Sequence, residues 1–126
     1  MKKTFKKLAA ATMAVVSLAV GMVGMSANAA TATDAYSKFT WGKSGSKASC
    51  TLTNTNKANR YAQVAIYLYD AQGNYITHIS NHGVIGDSES ISTSTTQYAA
   101  SYEYLGTLYL MTLPQGNPLS TWVRGS

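Results

Sequence analysis

Tyr61-Ala62-Gln63-Val64-Ala65-Ile66-Tyr67-Leu68-Tyr69-Asp70 is the stretch on which the fold turns. Val64, Ile66 and Leu68 alternate with Ala65, Tyr67 and Tyr69. Alternation of period two is the mark of a strand with one face toward a core and the other toward water. Asp70-Ala71-Gln72-Gly73-Asn74 then supplies a turn, with Gly73 free to take a positive φ. Residues 75–80 return as the hairpin partner.

The segments on either side read the same way. Upstream, residues 36–42 form a first strand and Lys43-Ser44-Gly45-Ser46 a polar turn. Residues 47–54 alternate, with Ala48, Cys50 and Leu52 on the apolar face and Ser49, Thr51 and Thr53 on the wet one; residues 55–60 are a polar connection. Downstream, residues 81–88 read as a loop with two glycines, followed by a polar strand over 89–95. Residues 102–113 form a second strong strand, interrupted or bulged near Gly106. Pro114 and Pro118 bracket a loop, and residues 119–124 form a final strand. No helical periodicity appears after Ala30. Seven strands with hairpin-compatible links predict an all-β chain folded as one antiparallel Ig-like β-sandwich, with a small β-barrel as the alternative.

Ile66-Tyr67-Leu68-Tyr69-Asp70-Ala71-Gln72-Gly73 resembles the strand and turn of bacterial extracellular Ig-like domains of the F-x-L-Y-D type, with Ile66 where that family has Phe. The strand before it, ending in an Asn-containing connection, is similar, and Gly86-Asp87-Ser88-Glu89-Ser90 matches a turn before a later strand. The resemblance implies an Ig-like fold and a non-enzymatic module of the cell envelope. It bears on fold more than on function.

The first 29 residues read as a cleaved secretory signal peptide. Lys2, Lys3, Lys6 and Lys7 form a positive head, residues 8–25 are uncharged and rich in Ala, Val and Met, and Ala27-Asn28-Ala29 is a small-x-small cleavage pattern. A retained anchor is the other reading, since about 20 apolar residues span a bilayer. The moderate hydrophobicity and the cleavage pattern favour removal. The only Cys, Cys50, lies too far downstream for lipid attachment. The expectation is a bacterial chain, secreted to the extracellular space, with one domain over residues 30–126 and no membrane contact after cleavage.

Removal of the leader also removes the basic character. The full chain carries +5, but beyond residue 29 six basic residues (Lys38, Lys43, Lys47, Lys57, Arg60, Arg124) face five acidic ones (Asp34, Asp70, Asp87, Glu89, Glu103), leaving +1. Nucleic-acid and acidic-membrane partners need a stronger electrostatic footprint than that. A domain of roughly 100 residues buries only a bit over 60% of its unfolded surface. With a single Cys it has no intrachain disulfide to add.

Catalytic and cofactor patterns are thin. Gly42-Lys43-Ser44 looks like the end of a phosphate loop, but Ser37 stands where the pattern needs Gly and no βαβ context surrounds it. His78 and His82, about 13 Å apart if extended, form only two ligands of a metal site, with Asp87 or Glu89 as remote completions. They read as exposed loop imidazoles. No G-x-S-x-G elbow is present, and paired carboxylates are unsupported. Leu113-Pro114-Gln115-Gly116-Asn117 lacks the apolar tail of a sorting signal. The chain is therefore expected to be no enzyme and to hold no metal or cofactor. Cys50 reads as buried packing, with a Cys50-linked dimer as the alternative.

The tyrosines are the functional lead. All nine lie beyond the leader, and Tyr67, Tyr69, Tyr75, Tyr102 and Tyr104 would line one sheet surface if their strands are neighbours. Tyr offers rigid apolar area with a polar tip, suited to glycan stacking or protein contact, although it is also simply a good strand former. The expectation is a small secreted binding module that contacts envelope or host glycan or protein. A released toxin-like or bacteriocin-like effector is the alternative.

Overall fold

The structure, a computed structural model, describes residues 29–125. The expected signal peptide therefore lies almost wholly outside the described residues. The chain runs β1 (Ala30–Thr33), β2 (Ser37–Ser44), β3 (Lys47–Asn54), β4 (Arg60–Tyr69), β5 (Tyr75–Ile85), β6 (Ser90–Thr95), β7 (Ser101–Tyr109) and β8 (Pro118–Gly125). Among the described residues there is no helix, so none is long and apolar enough to cross a membrane. The strands form two antiparallel sheets, β1-β2-β3-β6 and β5-β4-β7-β8, with one core between them. The all-β reading holds, with eight strands where seven were expected. The extra one is β1, a four-residue Ala/Thr segment paired with β2.

Three other expectations change. Residues 81–85 continue β5 and do not form a loop, because Gln63, Ala62, Tyr61 and Arg60 pair with His82, Gly83, Val84 and Ile85. The second strong strand ends at Tyr109, short of Leu113. Its register runs unbroken through Gly106 and shifts only between Leu108 and Tyr109. Gly106 has a packing reason instead: a Cβ there would lie 2.6 Å from Cε1 of Phe39 on the facing sheet. The bare backbone lets that ring lie against β7.

The core follows the alternation of β3 and β4. Cys50, Leu52, Ile66 and Leu68 are buried, together with Phe39, Tyr104 and Leu108. Phe39 stacks between Trp41 and Trp122, at 5.7 and 6.1 Å between centroids. The guanidinium of Arg124 lies 5.3 Å from both the Trp41 and the Trp122 centroids and so bridges the sheets through cation–π contact; burial lowers its pKa. Ser49, Thr51 and Thr53, assigned to a wet face, are buried as well. Their strand is central in its sheet, between β2 and β6, and Thr53 pairs with the Ser90 hydroxyl at 2.7 Å.

Several polar groups inside the fold are joined in hydrogen-bonded chains, which offsets the cost of burying them. Trp122 Nε1 donates to Ser37 Oγ (2.9 Å), Ser37 Oγ to Ser120 Oγ (2.8 Å), and Ser120 Oγ to Asp34 Oδ1 (3.0 Å). Asn54 Nδ2 donates to the carbonyls of Ala58 and Ile85. The β4–β5 turn closes on Asp70, whose Oδ1 accepts from the backbone of Gln72 and Asn74 while Gly73 sits at φ 87°. Those donors, led by the Asn74 backbone, hold the Asp70 carboxyl below its usual pKa.

Candidate functional site

Strand parity decides which residues of β4, β5 and β7 face water. With Ile66 and Leu68 turned inward, Tyr61, Gln63, Ala65 and Tyr67 face outward, and their β5 partners Val84, His82, Ser80 and His78 join them. The same pairing carries β7 along. Ile66 lies opposite Tyr104 and Leu68 opposite Tyr102, so both tyrosines turn inward and are 0% and 4% exposed. They are core residues and are withdrawn from the expected tyrosine surface.

Three of the five predicted contact tyrosines do come together. Tyr67 stacks on His78 at 4.7 Å with planes 11° apart, and Tyr75 lies 6.0 Å from Tyr67. The Tyr75 hydroxyl sits 2.6 Å from His78 Nδ1, donating to it in the tautomer that leaves Nδ1 unprotonated. Tyr69 packs edge-on to Tyr75 at 6.4 Å, but it is buried and not a surface ring. A register shift between Leu68 and Tyr69 accompanies this placement. Its hydroxyl donates to Glu103 Oε1 at 2.9 Å. Burial, followed by the Glu103 carboxylate, pushes its pKa up to about 12. Glu103 is itself buried, and its Oε2 has no hydrogen-bond partner among the described residues.

A second aromatic group, missed in the sequence, lies further along the same face. Tyr61 is 5.8 Å from His82 and 5.9 Å from Tyr109. Between the two groups is a depression of about 200 Å³, lined by Gln63, Ala65, Tyr67, His78, Ser80 and His82. Small Ala65 and Ser80 sit opposite each other between the bulkier rims. The parity of Tyr61 with Tyr67 was a usable signal, and so was the alternation of His78, Ser80 and His82, had residues 81–85 been read as strand. Both histidines stand on β5, not in a loop.

Among the described residues no group of three or more His, Cys, Asp or Glu is placed to hold a metal. Cys50 is fully buried, with its thiol toward the Ala65 carbonyl at 3.8 Å; burial drives its pKa far up. A thiol so enclosed is out of reach of a second chain in this fold. The chain matches no protein-family model and no curated protein.

Proposed function

We propose that this chain is a small secreted, non-enzymatic module whose outer β4–β5 face binds glycan, the ligand lying across the depression between the two aromatic groups. The observation that carries this reading is the arrangement of the Tyr67–Tyr75–His78 and Tyr61–His82–Tyr109 groups around a small polar floor. Aromatic rims offer stacking area to the C–H faces of a sugar, and Gln63, Ser80 and the imidazoles offer hydrogen bonds to its hydroxyls. A depression of about 200 Å³ suits one or two sugar rings better than a folded protein surface. The fold reading that accompanies it is Ig-like: β2-β3-β6 fits the A-B-E run and β5-β4-β7-β8 the C′-C-F-G run of such sandwiches. Secretion rests on the leader.

The test is a binding screen of the purified full chain against glycans, isolated cell wall and host extracellular proteins. Saturable glycan binding, weakened roughly 30-fold by Tyr67→Ala in line with an aromatic anchor worth about 2 kcal/mol, is the expected result. Glycan binding indifferent to both Tyr67→Ala and Tyr75→Ala, or no glycan binding at all, overturns it.

A further inference from the structure

Four strands lie at sheet edges, and three of them carry the usual protection. Edge strands present unpaired N–H and C=O groups, and shortness, proline or charge normally keeps them from pairing with another chain. β1 has four residues, β6 has six, and β8 begins at Pro118 and carries Arg124. β5 has none of this. Its eleven residues, Tyr75-Ile76-Thr77-His78-Ile79-Ser80-Asn81-His82-Gly83-Val84-Ile85, include no Asp, Glu, Lys, Arg or Pro. All but Thr77, Gly83 and Ile85 are exposed, with Ile76 at 41% and Val84 at 49%.

The direction of its edge-facing backbone groups can be read from His82. Its N–H donates to Asn81 Oδ1 at 2.9 Å and so points away from β4. Asn81 Nδ2 in turn donates to the Ser92 carbonyl of β6 at 3.0 Å, and the Asn81 cap must swing aside for a second strand to pair at His82. Alternation along an antiparallel strand then turns the backbone groups of His78, Ser80, His82 and Val84 toward the open edge. The sequence is nearly palindromic about Ser80, Ile76-x-His78-x-Ser80-x-His82-x-Val84, with the regular phase running from His78 to Val84 and Ile76 at the register shift opposite Leu68 and Tyr69.

We propose that β5 pairs antiparallel with β5 of a second copy of this chain, with Ser80 opposite Ser80, so that two four-stranded sheets become one. In this register Ile76 faces Val84 of the second copy and His78 faces its His82. Apolar meets apolar and imidazole meets imidazole, with no acidic or lysine/arginine pair to repel. The central facing pairs, Ser80–Ser80 and His78–His82, also have their edge-directed N–H and C=O groups in phase, as a hydrogen-bonded antiparallel pair requires. Moving the centre to Ile79 sets His78 against Ser80, and moving it to Asn81 sets His78 against Val84; either shift loses the match. The contact is two-fold and uses up the free edge of both strands, so assembly stops at a dimer. The aromatic faces of the two copies then run on across the seam, which presents the proposed ligand site twice on one surface.

Sedimentation velocity on the purified full chain over a wide concentration range tests this, with two variants. The wild type is expected to shift reversibly from monomer to dimer. Ser80→Lys sets two ammonium groups opposite each other and is expected to stay monomeric without losing its fold, since like charges directly opposite destabilise a strand pair. Ser80→Cys is expected to form an intermolecular disulfide under mild oxidation, because facing Cα atoms in a hydrogen-bonded pair lie about 5.5 Å apart, within disulfide range. Val84→Cys, which faces Ile76, is the control. A wild type that is monomeric at every concentration overturns the proposal. So does a Ser80→Lys dimer as stable as the wild type, or Val84→Cys cross-linking as fast as Ser80→Cys.

Discussion

β4 and β7 lie side by side in one sheet, and each carries two tyrosines two residues apart, yet the two pairs have different fates. On β4, Tyr67 is half-buried on the outer face and Tyr69 lies beyond a register shift, its hydroxyl held by Glu103. On β7, Tyr102 and Tyr104 lie in the core, and their rings stack on each other at 6.4 Å. Residue type does not separate them. What does is the cross-strand partner: Tyr104 pairs with Ile66, and a residue opposite an inward aliphatic chain must itself point inward.

The comparison can be broken most forcefully by truncation. Tyr104→Ala should cost about 3–5 kcal/mol, as large aromatic deletions in a core do. Tyr67→Ala should cost about 1 kcal/mol, the scale of its pairing with His78. Chemical denaturation of both variants checks this, and equal losses would mean that Tyr104 does not point into the core. A sharper probe of the same strand is Gly106→Ala. The added methyl meets the Phe39 ring, so about 1–3 kcal/mol of overpacking is expected, whereas a glycine serving only as a bulge would tolerate it.

The smallest effect separates the buried tyrosine of β4 from its half-buried neighbour, and it depends on pH. Below about pH 10 Tyr69 is protonated in both folded and unfolded chains and contributes no pH dependence. Above that, the unfolded chain loses the proton first, while the folded chain keeps it until about pH 12. The unfolded state then binds fewer protons, so stability falls as pH rises through this window. Urea midpoints at pH 9, 10 and 11, compared with those of Tyr69→Phe, should show a shallower decline in the variant. Parallel declines would remove Tyr69 as the source.

Much of this fold was legible from local pattern. Val64, Ile66 and Leu68 announced an inward face of β4, Asp70 to Asn74 announced the turn, and Ala48, Cys50 and Leu52 announced the core side of β3. The end of β5 was not legible, because Asn81, Gly83 and Gly86 carry turn chemistry that pairing with β4 overrides as far as Ile85. Half of the candidate site was hidden for the same reason: with residues 81–85 read as a loop, His82 had no face to share with Tyr61.

By itself the sequence determined an all-β chain, the places where it turns, and which side of β3 and β4 is apolar, since those depend on neighbours two to five residues apart. The tertiary structure alone decided which way Tyr102 and Tyr104 point, why β7 needs a glycine under Phe39, and which rings gather around Ala65 and Ser80. Those outcomes depend on register between strands distant in the chain. Alternation defines two faces of a strand, but when both carry aromatic or aliphatic side chains, only packing against the other sheet determines which one is the inside.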